Sequence, residues 1–206
     1  MSHARAQLVH GKLSELHPTQ ITVGKAEVEL KRKSWEGLGK KERSAMLESH
    51  WFPTIIGPNG RHYIVDHHHF GLALLGEGVK NVWLMVLKDL SWLDQRVFWN
   101  VMHHHQWTHP YDADGVRRDF DVIPRHIEKL QDDPYRSLAG EVRCAGGYAK
   151  DVTPFSEFLW ADFFRTRITA DRIENEFQKA VAKGIKLART QEARYLPGWS
   201  GVFESK

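Results

Sequence analysis

Asp66-His67-His68-His69 is the run in this sequence best equipped to move a proton. A carboxylate beside imidazoles that titrate near neutrality can supply both an acid and a base. The run lies between a strand pattern, His62-Tyr63-Ile64-Val65, and an apolar helical one, Phe70-Gly71-Leu72-Ala73-Leu74-Leu75. A strand running into a helix aims its last side chains and the helix's free N–H groups into one crevice, where an anion is favoured. Asp66 also has a purely structural reading, as the helix N-cap. Successive helical side chains diverge by about 100°, so the three imidazoles of a first turn cannot all face one site.

A second triplet, His103-His104-His105, falls late in a helical stretch beginning near Ser91. Histidines there complement the helix dipole at the surface. The alternative is a metal site built from His103, His105, His109 and Asp112 or Asp114, a donor set that suits zinc, manganese or iron. The spacing matches no fixed metal motif, and Pro110 limits helical presentation of His109. The basic pair Arg117-Arg118 reads as solvated or as a contact for an anionic ligand.

The elements that must position these groups follow from pattern. Leu16-His17-Pro18-Thr19-Gln20 is extended, because proline pushes the residue before it out of the helical region. Helices are expected at 25–33, with Ala26, Leu30 and Lys33 on one face, and at 38–51. Pro53-Thr54-Ile55-Ile56-Gly57 and His62-Tyr63-Ile64-Val65 flank the turn Pro58-Asn59-Gly60-Arg61 and predict a hairpin. Val82 to Leu87 predicts an interior strand. Ser91 is read as a helix cap, with Asp94 completing an approximate capping box. Further helices are expected at 124–131, 135–144, 155–167 and 169–190. Residues 1 to about 20 read as an arm. The fold class is therefore α+β: a small mixed sheet with helices over 1–90, then a helical region over 91–206 packed on it.

Composition narrows the classes. The chain has 206 residues, a formal charge of +3, 41% hydrophobic and 27% charged residues. No apolar run approaches the length of a membrane span, and the first residues lack the apolar core of a signal peptide. The lone Cys144, expected to be buried, excludes a disulfide framework or a thiolate zinc site within one chain. These features predict a cytoplasmic protein with no membrane partner. A charge so near balance does not by itself argue for nucleic acid. Phe155, Phe158, Trp160, Phe163 and Phe164 read as core or as a homo-oligomer interface.

The Leu16–Gln20 segment, the Val23-Gly24 turn and helix, and the Tyr63-Ile64-Val65-Asp66-His67-His68-His69 junction resemble the ParB/sulfiredoxin superfamily, specifically its ParB-like nuclease branch. Asp133-Pro134-Tyr135-Arg136-Ser137-Leu138-Ala139-Gly140 and Pro154-Phe155-Ser156-Glu157-Phe158-Leu159-Trp160 resemble that branch too. The resemblance implies a nucleotide-phosphate site at the junction. It places His67 where relatives carry a glycine, His69 at their histidine and Phe70 at their phosphate-gripping arginine. His67, His68 and Arg61 then become the phosphate contacts. Asp66 and His69 become the acid–base pair, with Glu27 or Glu29 positioning a nucleophile and Mg²⁺ accompanying the nucleotide. Sulfiredoxin chemistry is excluded, because His68 stands where its reactive cysteine would be. The expected function is action on phosphate esters, by phosphoryl transfer or hydrolysis of a nucleotide or phosphorylated small molecule. The alternatives are a metal-dependent nuclease acting on nucleic acid and a non-catalytic binding module.

Overall fold

The computed structural model describes residues 7–201. The chain forms two compact units. The first holds residues through Thr22, Val28–Asp112 and Val116–Gln131; the second holds Val23–Glu27, Ala113–Gly115 and the chain from Asp132. Among the described residues the strands are β1 (Gln7–Lys12), β2 (Thr22–Val23), β3 (Phe52–Gly57), β4 (Arg61–Ile64), β5 (Asn81–Asp89) and β6 (Gln131–Asp132). The helices are α1 (Lys25–Glu36), α2 (Lys40–Ser49), α3 (His68–Gly76), α4 (Gln95–His104), α5 (Pro134–Cys144), α6 (Ser156–Arg165), α7 (Ala170–Asn175) and α8 (Phe177–Ala188). The α+β class expected from sequence holds.

In the first unit a four-stranded sheet runs in the order β1-β5-β3-β4. The expected hairpin is present, with β3 antiparallel to β4 and Ile55 opposite Tyr63. Its turn turns back through Asn59 and Gly60, both at positive φ. β5 lies beside β3 in parallel, as the apolar run Val82–Leu87 requires of an interior strand. β1 occupies the far edge, antiparallel to β5, where the sequence reading saw only an arm. An edge strand needs little apolar alternation, and Leu8 there is half exposed.

α4 closes the sheet's core. Phe98, Trp99 and Met102 pack with Ile55, Tyr63, Ile21 and Ile123. Gly57 makes room for this: a Cβ there would lie 2.8 Å from the Phe98 ring. This packing is why the first unit continues to Gln131 rather than ending near residue 90. The cap of α4 is Asp94, which accepts from the Val97 N–H at 2.9 Å; Ser91 instead gives its N–H to Asp89. In α1 the buried residues are Val28 and Trp35, while Leu30 of the expected face is exposed. The helix expected at 124–131 is replaced by short 3-10 turns at Phe120–Val122 and Ile127–Lys129 and by β6. Ile123, Ile127 and Leu130 are all buried, so helical spacing was satisfied without a helix. Pro124 interrupts the segment.

The second unit packs α5, α6, α7 and α8 around Trp160, Phe163, Phe164, Leu138 and Val142. Of the aromatics expected as core or as an oligomer face, Trp160, Phe163 and Phe164 lie in this unit's own core. The long helix expected over 169–190 breaks at Glu176 (φ −137°, ψ 45°), yet Ile173, Ala180, Val181 and Ala188 still face one core. Cys144 ends α5 and is exposed, not buried. Asp133 caps α5, accepting from the Tyr135 and Arg136 N–H groups, and is also paired with Arg165 at 3.0 Å. Among the described residues no helix is long and apolar enough to cross a membrane.

Candidate functional site

The histidine junction is built differently from the sequence expectation. His67 precedes α3 in the left-handed conformation (φ 66°, ψ 21°). That conformation is natural for glycine and costly for a residue with a Cβ. Its ring lies edge-on to Phe52 and Phe70. Asp66 does not cap the helix turn: its carboxylate accepts only the adjacent His67 N–H, at 2.6 Å, and stands mostly in solvent.

His68 is fully buried. Its Nε2 accepts the Thr19 N–H at 3.1 Å, while the Thr19 hydroxyl donates to the Ile64 carbonyl at 2.9 Å. Burial pushes its pKa down to about 4, so the ring is neutral at physiological pH. This ring ties the Pro18-Thr19 segment to the sheet, so His68 is no phosphate ligand in this arrangement. His69 is buried as well. Phe70 stacks on Phe52 at 5.9 Å. The remaining open space, about 540 Å³, is lined by Lys31, Ser34, Met46, His50, His67 and Phe70, without an arginine.

The expected acidic helpers are committed elsewhere. Glu27 belongs to the second unit and pairs at 3.1 Å with Arg136, whose side chain is buried. Glu29 is exposed and pairs with Arg32. The second triplet fares likewise. His103, His104 and His105 are exposed near the end of α4, and His105 stacks on Trp107 at 4.2 Å. His109 stacks on Tyr111, and Asp112 accepts the Val116 N–H and pairs with Arg118. Among the described residues no three His, Cys, Asp or Glu side chains come together to hold a metal ion. The expected His103, His105, His109 and Asp112 set is therefore not brought together among the described residues: His105 and His109 each stack on an aromatic ring, and Asp112 pairs with Arg118.

Arg61 is the one predicted phosphate contact that the fold brings to an electropositive cleft. The residues 16–18 run beside β4: His17 donates its N–H to the His62 carbonyl at 2.8 Å, and Ile64 returns a bond to the His17 carbonyl at 2.9 Å. Alternation along β4 puts Arg61 and Tyr63 on one face. One turn apart on α4, Gln95 and Trp99 share a face. These residues, with His17 and Pro18, line a cleft of about 750 Å³ whose other wall is Phe120, Asp121, Ile123, Pro124 and Arg125.

The cleft is aromatic and cationic. Trp99 stacks on Phe120 at 5.6 Å, with the planes 10° apart, and Tyr63 meets Trp99 edge-on at 5.5 Å. His17 lies 5.0 Å from Tyr63 and stacks at 6.0 Å on His126. Arg117 sits over Phe120 at 5.5 Å. Neither Arg61 nor Arg125 has an ion-pair partner among the described residues. Burial, then the nearby Arg61 and His126, lower the His17 pKa to about 4, although the Arg125 carbonyl opposes the shift. The Leu16–Gln20 segment and Arg61 were visible in the sequence. Trp99, Gln95, Phe120 and Arg125 were missed, because nothing along the chain links α4 to a segment mistaken for the start of a helix.

This arrangement can hold an anion by charge and a flat ring by stacking. Unpaired guanidinium groups grip phosphate oxygens bidentately, and aromatic faces receive bases with little sequence preference. No curated protein matches the chain. A crystal structure of protein Atu1540 from Agrobacterium tumefaciens is similar, with 48% identity and a TM-score of 0.89 over 96% of this chain and all of that one. The family model described as "Putative ParB-like nuclease" matches residues 9–166. That match spans well over half the chain, and the chain therefore belongs to the ParB-like nuclease family.

Proposed function

We propose that the protein binds a nucleotide or a nucleic-acid end through its phosphate in the Arg61–Arg125 cleft and acts there on a phosphate ester. Two arginines without carboxylate partners among the described residues, both lining a cleft walled by Trp99, Tyr63 and Phe120, carry this reading. Both arginines are exposed to solvent, so each can exchange water for a phosphate oxygen. Arg61 and Arg125 would hold phosphate oxygens, and the stacked Trp99–Phe120 pair would receive the base. His17 and Asp121 are the acid–base groups lining the same cleft. Family membership makes a nuclease-type role the coarse expectation.

One observation favours a second reading, ligand binding without turnover. The Asp66, His69, Glu27 and Glu29 set does not assemble: Asp66 is solvated, His69 is buried, and both glutamates are ion-paired. Calorimetric titration separates binding from no binding. Adenosine 5′-monophosphate should bind and adenosine should bind much more weakly, and R61A with R125A should abolish the difference. Equal binding of nucleotide and nucleoside would contradict the phosphate reading. Cleavage of a labelled oligonucleotide, lost in D121N, then distinguishes an enzyme from a binding module.

A further inference from the structure

We infer that the cleft holds the end of a single strand of nucleic acid, whose next nucleotide leaves over Phe120 and Arg117 towards His103 and His104 at the end of α4. The inference deepens the reading above and rests on it. A chain of ring contacts, all within the first unit, leads out of the cleft. Tyr63 meets Trp99 at 5.5 Å and Trp99 stacks on Phe120 at 5.6 Å, and all three line the cleft. From Phe120 the chain continues beyond the cleft lining, to His103 at 6.0 Å and from His103 to His104 at 6.3 Å. Burial falls along the same path: Trp99 is buried, Phe120 is half-buried, and both imidazoles are exposed.

Arg117 flanks this path. It is exposed, its guanidinium sits over Phe120 at 5.5 Å, and it has no carboxylate partner among the described residues. A guanidinium whose face rests on a ring keeps its N–H edges for a phosphate. Its neighbour Arg118 differs, being paired with Asp112. Asp119 and Asp121 are exposed carboxylates of the same segment. Against them stand Arg61, Arg117 and Arg125, so three cations face two anions. The surface therefore attracts a polyanion even with every histidine neutral. Ring faces also choose the form of that polyanion. In a duplex the bases of each strand stack on one another about 3.4 Å apart, and only unstacked bases can lie on protein rings. The ring steps of 5.6, 6.0 and 6.3 Å are wider than that spacing and suit a strand whose bases are drawn apart.

The test titrates adenosine 5′-monophosphate and 5′-phosphorylated diadenylate into the protein by calorimetry. The dinucleotide should bind about tenfold tighter, the value of one further stacked base or charge-assisted contact. R117Q, and separately H103A with H104A, should bring the two affinities together. A longer 5′-phosphorylated strand should bind more tightly alone than annealed blunt to its complement. Equal affinities for mononucleotide and dinucleotide in the native protein, a gain that survives both variants, or a duplex that binds as well as its single strand would overturn the inference while leaving the cleft as a mononucleotide site. Binding of neither mononucleotide nor dinucleotide would overturn the underlying reading as well.

Discussion

The histidine junction and the Arg61–Arg125 cleft lie in the same unit and start from similar raw material, yet they use it in opposite ways. At the junction, polar groups are consumed by the fold. His68 holds Thr19, His69 is buried, His67 fills a left-handed turn against Phe52 and Phe70, and Asp66 faces water. In the cleft, polar groups are left over. Arg61 and Arg125 have no counter-ion among the described residues, and His17 is held neutral beside them. Density of reactive residue types in a sequence is thus a poor guide to a site. What matters is which groups the fold leaves available: His68 and His69 are buried, whereas Arg61 and Arg125 are exposed on a shared cleft.

The largest expected effect separates the two regions by ligand binding. R61A combined with R125A should weaken nucleotide binding by about 100-fold or more, two charge-assisted contacts at roughly 1.5–3 kcal/mol each. Titration calorimetry reads this directly. The next effect separates them by stability. His68→Ala strips a buried partner from the Thr19 N–H and leaves a void, and should cost about 3 kcal/mol in urea denaturation.

Acid should act on the same ring. His68 has a folded pKa of about 4 against an ordinary 6.5, so between those values the unfolded chain binds more protons. Stability is therefore complete above pH 6.5 and falls as pH drops towards 4, by about 3 kcal/mol from His68. His68→Gln should flatten that slope in denaturation curves taken across the range. An unchanged slope would show that the ring is not held neutral.

Much of this was legible in the sequence, for physical reasons that differ by element. The hairpin, α3, β5 and α6 announced themselves through turn residues and apolar period, which local chemistry dictates. The demand for a left-handed residue at His67 was legible only through the resemblance that placed a glycine there, and the φ of 66° meets it. The cleft was partly legible: Arg61 stood out as a phosphate contact, but His17 read only as an extended residue before Pro18, and Trp99 and Arg125 reach the cleft only through tertiary packing. The 124–131 segment shows how this fails, since Ile123, Ile127 and Leu130 bury themselves at helical spacing without forming a helix.

Smaller effects sharpen the contrast further. His67→Gly should stay within about 1 kcal/mol of the native stability, relief of the left-handed strain offsetting lost ring packing, whereas His67→Val should cost about 2 kcal/mol. Thermal unfolding distinguishes them. Asp66→Asn should change stability by less than about 0.5 kcal/mol, as expected of a solvated side chain, and should leave nucleotide affinity unaltered in the same titration.

The most direct measurement is a crystal structure with adenosine 5′-monophosphate bound. The account predicts phosphate density against Arg61 and Arg125, with the base on the Trp99–Phe120 side. Phosphate density at the start of α3, beside His67 and Phe70 with the cleft empty, would contradict it.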